Sequence, residues 1–158
     1  MEIISHSVTQ TKNIGRKIAQ VLEPGNILCL FGEFGSGKTV LVKGMALALG
    51  IPERQVSSPS FVLLREYKVK IKKERIPFYH FDFYRLENIK QIIDIGYEEF
   101  IYSDAVSVIE WADRLGRYLP KDYLEVKLSI KGKNQRIIEL RAHGNNSKTL
   151  LDRFSLRY

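Results

Sequence analysis

The chain has 158 residues, of which 44% are hydrophobic and 27% charged, a profile typical of one folded globular domain rather than a disordered segment. Its single cysteine excludes a disulfide framework within the chain and a four-cysteine zinc site. Lysine and arginine number 25 against 18 aspartate and glutamate residues, for a net charge of +7. This excess favours a polyanionic partner such as nucleic acid, a membrane surface or phosphates, without choosing among them.

The N-terminal segment, MEIISHSVTQTK, has no basic stretch followed by an apolar run, so we expect no signal peptide. The longest apolar runs are a few residues, far short of the ~20 that a membrane-spanning helix needs. We therefore expect a cytoplasmic protein without membrane association, in a reducing environment that suits the lone Cys29. No linker or repeat divides residues 1–158, which we expect to form one domain.

The first elements in chain order are a helix, a strand and a second helix. Apolar residues recur at helical spacing over residues 9–22, where Thr9 or Thr11 is the expected cap. Residues 27–31 form a short continuous apolar run, which is typical of a strand buried on both faces. A glycine-rich stretch follows, and residues 38–49 are predicted to be helical.

The middle of the chain predicts two further strands, a helix and a third buried strand. Residues 65–72 alternate between apolar and lysine side chains, which indicates a half-exposed strand with a basic face. Residues 78–83 form the next strand, and residues 86–100 are predicted to be helical with an interruption at Gly96. Residues 106–109 are again a buried strand.

The C-terminal part predicts an antiparallel hairpin and a last helix. Residues 124–130 and 136–141 alternate around a polar turn, and Asn146 or Ser147 is the expected cap of the helix. Strands that alternate with helices imply a mainly parallel sheet covered on both faces. The expected architecture is therefore a single-domain α/β P-loop fold, with antiparallel strands added to the parallel sheet at the C-terminal end.

The segment GEFGSGKT, residues 32–39, matches the phosphate-binding pattern G-x-x-x-x-G-K-[ST] at every fixed position. It follows a predicted buried strand and opens a predicted helix, which is the context that the motif requires. Backbone N–H groups and the helix N-terminus can then surround an anion. In this motif the lysine, here Lys38, reaches the β/γ-phosphates, and the hydroxyl of Thr39 ligates Mg²⁺.

Two acidic residues end predicted strands near this loop: Asp82 and Glu110. Strand ends beside the loop face the ligand crevice in open α/β sheets, so one carboxylate can ligate Mg²⁺ while the other positions water. The segment SSPSF, residues 57–61, is either a nucleotide-sensing switch or a plain loop. His80 is predicted to be a strand residue whose polar atoms are satisfied, rather than a metal ligand. Trp111 either packs beneath the sheet or contacts a nucleotide or partner.

Sequence features outside the glycine-rich loop narrow the class of nucleotide-binding protein. No Asn/Thr-Lys-x-Asp segment follows a strand, which favours adenine over guanine. The basic stretch 65–75 is rich in lysine and alternates like a strand, unlike the arginine-rich lid of small-molecule kinases. A kinase and a non-catalytic nucleotide-dependent assembly switch remain open as alternatives to an ATPase.

Four stretches together resemble the bacterial TsaE family, formerly named YjeE: GEFGSGKT, SSPSF, HFDFYRLE and IEW. Their order and spacing agree over essentially the whole chain. The resemblance implies a Mg²⁺-dependent ATPase in the synthesis of threonylcarbamoyladenosine at position 37 of tRNA. It further implies that the ATPase serves the TsaB and TsaD proteins, which carry out the transfer, with tRNA contacted through that complex.

The resemblance also implies roles for individual residues. Thr39 and Glu110 would be the Mg²⁺ ligands, and the catalytic residues would be Lys38, Glu110 and Asp82. Ser58, Pro59, Ser60 and Phe61 would form the switch, although the family usually has threonine where Ser60 stands. ATP contacts are expected at Thr11, Glu33, Phe34, Gly35, Ser36, Gly37, Lys38, Thr39, Val40, Gly132 and Lys133.

The net charge is concentrated outside these motifs. Residues 65–75 carry six basic and two acidic side chains, and residues 127–158 carry eight basic and two acidic side chains. The remainder of the chain is mildly acidic. The two basic segments are either solvated strand faces or surfaces for tRNA or an acidic partner, whose binding would depend strongly on salt.

Overall fold

The computed structural model describes residues 1–57, 59 and 62–158. The elements are β1 (Glu2–Ser5), α1 (Val8–Ala19), β2 (Ile27–Phe31), α2 (Lys38–Ala48), β3 (Leu64–Ile71), β4 (Glu74–Asp82), α3 (Lys90–Asp94), α4 (Tyr97–Ile101), β5 (Val106–Glu110), β6 (Tyr123–Ile130), β7 (Arg136–His143) and α5 (Asn145–Arg157). Strands and helices alternate from β1 to α2 and are then grouped in pairs over much of the remaining chain, with two short 3₁₀ helices, Glu53–Gln55 and Ala112–Tyr118, as connections.

In this described part of the chain, seven strands form one sheet in the order β1-β7-β6-β2-β5-β4-β3. The pairs β6–β2, β2–β5 and β5–β4 are parallel, which confirms the expected α/β fold with a parallel centre. Antiparallel strands lie at both edges: β7 and β1 follow β6, and β3 pairs with β4. The C-terminal hairpin was predicted, whereas β1 and the antiparallel pairing of β3 were not.

Each face of the sheet packs on its own hydrophobic cluster. Leu28 and Leu30 of β2 belong to the cluster formed with α1, α2 and α5, and Cys29 belongs to the one formed with α3 and α4. Burial raises the pKa of the Cys29 thiol, as is typical of a cysteine that packs as a small apolar residue. The strands at the centre are therefore apolar on both faces. Across the described residues, no helix combines the length and the apolar run needed to cross a bilayer.

Three predicted element boundaries are corrected by the structure. Helix α1 is capped by Ser7, whose Oγ accepts a hydrogen bond from the backbone N–H of Gln10 at 3.0 Å. Neither Thr9 nor Thr11 is the cap, and the helix ends at Ala19 rather than at residue 22. The predicted helix over residues 86–100 consists of only the five-residue helices α3 and α4, separated at Gly96.

Helix α5 obtains its cap from a distant residue. It begins at Asn145, so Asn146 and Ser147, the expected caps, lie inside it. The carboxylate of Asp122 accepts hydrogen bonds from the backbone N–H groups of Asn146 and Ser147, both at 2.8 Å. A carboxylate satisfies the free N–H groups of a helix start and complements its dipole, and here it comes from the loop before β6.

Helices α1 and α2 cross in direct backbone contact at two glycines. A Cβ atom on Gly15 would lie 2.2 Å from the carbonyl oxygen of Leu41, and one on Gly44 would lie 2.0 Å from that of Lys12. Side chains larger than hydrogen therefore cannot occupy either position without displacing a helix. This contact sets the position of α2, whose first turn follows the glycine-rich segment.

We predict that Gly44→Ala lowers the free energy of unfolding by about 1–3 kcal/mol, because the added methyl group overpacks the helix crossing. Urea denaturation followed by circular dichroism measures the change. Gly132→Ala is the matched control, since the nearest atom to its Cβ would be 3.8 Å away. Equal stability of the two variants would contradict the crossing as described.

Candidate functional site

The glycine loop, residues 32–39, connects the C-terminal end of β2 to the first turn of α2. Gly32 has a φ of 141°, and a Cβ there would lie 2.3 Å from the carbonyl oxygen of Leu128 on β6. Only glycine combines this backbone conformation with such a close approach to the neighbouring strand. The loop is therefore shaped by its backbone and held against the sheet, as the motif predicts.

Lys38 is 4% exposed and its ammonium group lies inside the loop. Nζ donates hydrogen bonds to the carbonyl oxygens of Gly32 at 2.6 Å and Glu33 at 2.9 Å. It also lies 3.8 Å from the centre of the Trp111 ring, within range of a cation–π interaction. Burial lowers the pKa of Lys38, and the negative charges of Glu110 and Asp82 oppose this shift.

Thr39 and Glu110 are in direct contact. The Thr39 hydroxyl, in the first turn of α2, donates a hydrogen bond to Oε2 of Glu110 at the end of β5, at 2.8 Å. The other carboxylate oxygen, Oε1, lies 2.8 Å from Nε2 of His80 on β4. The sequence predicts a satisfied strand residue rather than a metal ligand at His80; the structure places it on β4, and its hydrogen-bond partner is a predicted Mg²⁺ ligand.

Asp82 lies beside Glu110 because the ends of β4 and β5 are paired in register. Asp82 is 2% exposed, and its Oδ1 accepts a hydrogen bond from the backbone N–H of Tyr84 at 2.9 Å. Its own N–H donates to the carbonyl of Leu63 at 3.1 Å. Both predicted carboxylates therefore end parallel strands on the same side of the sheet.

These residues line a cleft of about 390 Å³ beside the glycine loop. Its wall also contains Tyr84 and Arg85, which were not predicted as nucleotide contacts, and Trp111, for which such a contact was one of two alternatives. Tyr84 packs against Trp111, with ring centres 5.0 Å apart, and Phe34 lies 5.9 Å from Tyr84. The full lining is Phe34, Gly35, Gly37, Lys38, Thr39, Val40, Asp82, Tyr84, Arg85, Glu110 and Trp111. Trp111 thus packs on its neighbours and also faces the cleft.

A second cleft, of about 230 Å³, lies on the other side of the glycine loop. It brings together Thr11 of α1 and Lys133 of the hairpin turn, which are distant in sequence, with Gly35, Gly37 and Val40 of the loop and its helix. Gly132 lies in the same turn. The remaining predicted contacts, Glu33 and Ser36, do not line either cleft and instead lie against the Lys38 ammonium.

Arg136 bridges the glycine loop and the hairpin turn between β6 and β7. This residue was not predicted from the sequence as part of the site. Its guanidinium donates to the loop carbonyls of Gly35 and Ser36, each at 3.1 Å. It also donates to the carbonyls of Gly132 at 3.1 Å and Gln135 at 2.9 Å in the hairpin turn. Arginine can join four acceptors because its donors are arranged in a rigid fork. No local pattern could have revealed contacts between residues about 100 positions apart.

Of the predicted switch, only Pro59 is described. It is buried, and its carbonyl oxygen accepts hydrogen bonds from the N–H groups of Val62 at 2.9 Å and Leu63 at 2.7 Å. Ser58, Ser60 and Phe61 lie outside the described residues. Because Leu63 also accepts from the Asp82 N–H, the segment that follows the predicted switch contacts the end of β4 directly.

The Thr39 and Glu110 oxygens suit the Mg²⁺ ion that the resemblance implies. Mg²⁺ prefers oxygen ligands at 2.0–2.1 Å in octahedral geometry, so two neighbouring ligands stand about 2.9 Å apart. The observed separation of 2.8 Å between Thr39 Oγ1 and Glu110 Oε2 is close to that value. Mg²⁺ commonly takes one or two protein ligands and completes its shell with phosphates and waters.

Comparison with known proteins agrees with this geometry. The family described as "Threonylcarbamoyl adenosine biosynthesis protein TsaE" matches residues 5–138. The chain belongs to the TsaE family. Its role therefore lies in the biosynthesis of threonylcarbamoyladenosine in tRNA, as the resemblance implied.

The similarity to individual TsaE proteins extends over most of this chain and most of each relative. The chain is 35% identical to the tRNA threonylcarbamoyladenosine biosynthesis protein TsaE of Bacillus subtilis, covering 92% of this chain and 88% of that protein. It is 37% identical to the protein of the same name from Treponema pallidum, covering 87% and 98%. The crystal structure of Bacillus subtilis YdiB superposes with a TM-score of 0.80 at 28% identity, covering 99% of this chain and 95% of that chain.

In this TsaE family member, we predict that the bridge formed by Arg136 between the glycine loop and the hairpin turn contributes to nucleotide binding. Arg136→Lys keeps the positive charge but cannot reach four carbonyl oxygens at once, so the glycine loop loses its connection to the hairpin. We expect affinity for ADP to fall about tenfold, equivalent to ~1.4 kcal/mol, as measured by isothermal titration calorimetry. Wild-type affinity in this variant would show that charge alone, and not the bridge, accounts for the contribution of Arg136.

Proposed function

We propose that this chain is a Mg²⁺-dependent ATPase that supports the TsaB–TsaD complex in transferring the threonylcarbamoyl group to position 37 of tRNA. The observation that carries the proposal is the arrangement of Lys38, Thr39, Asp82 and Glu110 around one cleft beside the glycine loop. A lysine, a hydroxyl and two carboxylates in these positions are the parts that P-loop ATPases use for phosphoryl transfer to water.

Each residue has a distinct role in the proposed reaction. Lys38 exchanges its bonds to the Gly32 and Glu33 carbonyls for bonds to the β- and γ-phosphates. Thr39 and Glu110 would hold Mg²⁺, which when bound would neutralise charge on the phosphates. Asp82, next to Glu110 in register, accepts a hydrogen bond from the attacking water and orients it toward the γ-phosphate.

The second cleft supports a place for the rest of the nucleotide. Thr11 and Lys133 line it together with loop residues that also line the first cleft. A nucleotide can therefore lie across the glycine loop, with its phosphates on the Lys38 side and its nucleoside on the Thr11 side. Thr11 and Lys133 are among the ATP contacts that the resemblance implies, and Gly132 precedes Lys133 in the hairpin turn.

The proposed role in a complex is tested by ATP turnover with and without purified TsaB, TsaD and tRNA. We expect slow release of phosphate from the chain alone and marked stimulation by the TsaB–TsaD pair. Asp82→Asn should reduce the stimulated rate by about 10²–10⁴-fold while ATP binding is kept, and Lys38→Ala should abolish binding. Lys90→Ala, at an exposed position of α3 that lines neither cleft, is the control.

Three results would contradict the proposal in different ways. An ATP turnover rate that is unchanged by TsaB and TsaD would contradict the proposed role in the TsaB–TsaD complex. Labelled phosphate found on a small-molecule acceptor instead of in free phosphate would identify a kinase. Support of tRNA modification by a binding-competent Asp82→Asn variant without hydrolysis would identify a nucleotide-dependent assembly switch.

The proposed contact with tRNA has structural support in the distribution of charge. The two basic segments of the sequence meet in a cleft of about 350 Å³, where Lys70 and Lys72 of β3 lie near Arg153 and Arg157 of α5. Glu23 bridges this group, bonded to Lys72 and, at 2.5 Å, to Arg153. These hydrogen bonds lower the pKa of Glu23, yet one carboxylate leaves the four cations in excess.

We predict that Lys70→Ala combined with Arg157→Ala weakens binding of tRNA, alone or in the TsaB–TsaD complex. Removal of each cation that neutralises a phosphate should reduce the slope of log affinity against log salt by about 1. Fluorescence anisotropy with labelled tRNA over a salt series gives this slope, and Lys90→Ala should leave it unchanged. An unaltered slope in the double variant would show that the cations of this cleft do not contact tRNA and are ordinary solvated side chains.

A further inference from the structure

The imidazole of His80 lies behind the proposed Mg²⁺ site. It is fully buried on β4, two residues before Asp82, and is therefore on the same face of the sheet as Asp82 and Glu110. Nε2 lies 2.8 Å from Oε1 of Glu110. The sequence motif contains this histidine, yet none of the roles assigned to the cleft uses it.

The two oxygens of Glu110 are engaged in different directions. Oε1 faces His80 and Oε2 faces the hydroxyl of Thr39. A carboxylate that ligates Mg²⁺ has no hydrogen to donate, so in the proposed site Nε2 is the ring nitrogen that carries the hydrogen. The terminal torsion of a glutamate side chain is broad when it is free, and two donors from separate elements restrict it to one orientation.

The other ring nitrogen makes histidine a costly choice at this position. Nδ1 is buried, and no residue in the described part of the chain gives it a hydrogen bond. A buried polar atom without a partner is destabilising. The neighbours on the same face, Phe78 on β4 and Val108 on β5, are apolar and fully buried. Packing alone would therefore favour an apolar side chain, and the hydrogen bond to Glu110 is what the imidazole adds.

We infer that His80 is a positioning residue for Glu110, whose carboxylate it holds so that Oε2 stays beside Thr39 as a Mg²⁺ ligand. Hydrogen bonds from outside the ligand set commonly orient carboxylate ligands, and their loss lowers metal affinity about 10–100-fold. The inference rests on the proposed function only for the presence of the metal–nucleotide complex. The geometry itself comes from three contacting residues on β4, β5 and α2.

Three substitutions separate positioning from packing. His80→Gln places an amide N–H₂ at about the reach of Nε2 and can still donate to Glu110. His80→Asn carries the same amide group but ends near the position of Nδ1, too far from the carboxylate. His80→Leu removes the donor and keeps an apolar side chain, which should pack well. Thermal unfolding of all three variants verifies that they are folded.

The main measurement is the affinity of ADP-bound protein for Mn²⁺, determined from free Mn²⁺ by electron paramagnetic resonance. We expect His80→Gln to remain within about threefold of wild type, and His80→Asn and His80→Leu to bind Mn²⁺ about 10–100-fold more weakly. ADP affinity in EDTA should be equal in all four proteins, because Lys38 and the glycine loop are untouched. The Mg²⁺ concentration for half-maximal hydrolysis should rise in parallel.

Several outcomes would overturn the inference. If folded His80→Asn and His80→Leu bind Mn²⁺ with wild-type affinity, His80 does not position Glu110. Equal losses in His80→Gln and His80→Asn, together with weaker ADP binding in EDTA, would assign His80 to packing alone, and absence of Mn²⁺ binding by the wild type would remove the metal site. If the Mn²⁺ pattern is as expected and ATP is not hydrolysed, the proposed ATPase fails and the role of His80 stands.

Discussion

The parallel alignment of β2, β5 and β4 is the constraint on which the cleft depends. The three strands end at the same edge of the sheet, so the glycine loop after β2, Glu110 at the end of β5 and Asp82 at the end of β4 arrive together. Ligands bind at this edge in open α/β sheets because the strand ends and helix starts leave polar groups free. Glycines in the α1–α2 crossing then set where Lys38 and Thr39 stand relative to the carboxylates.

The cleft keeps charged groups in a largely dry environment by pairing each with polar neighbours. Lys38 is held by loop carbonyls and the Trp111 ring, and Glu110 by Thr39 and His80. Buried charges persist only with such partners, since desolvation alone disfavours the ionised form. The same dry environment strengthens electrostatic interactions with a polyphosphate, so the groups that stabilise the site also prepare it for a nucleotide.

Most of the site could be predicted because its signals are local. The glycine loop is a contiguous motif, and Asp82 and Glu110 could be recognised as acidic residues at the ends of apolar runs. The role of Arg136 could not be predicted, because its contacts depend on the pairing of β7 with β6 and on the position of the glycine loop beside them. Likewise the role of His80 depends on which strand lies beside β4. The short strand β1 has too few residues for a pattern.

Helix caps show the same limit on a smaller scale. Both α1 and α5 begin near several residues that can cap a helix, and sequence spacing alone ranks them poorly. In α1 the cap is Ser7, just before the predicted threonines. In α5 the cap is the Asp122 side chain, which lies more than twenty residues away in sequence. Tertiary contacts decide these choices, as they decide the antiparallel pairing of β3 with β4.

An anomalous-scattering map from crystals grown with ADP and Mn²⁺ would locate the metal and the nucleotide phosphates in the cleft directly. We expect one Mn²⁺ peak within about 2.2 Å of both Thr39 Oγ1 and Glu110 Oε2, with the Lys38 ammonium moved from the Gly32 carbonyl to the β-phosphate. A Mn²⁺ ion bound elsewhere, or a nucleotide whose phosphates do not contact Lys38, would contradict the proposal that this cleft hydrolyses ATP.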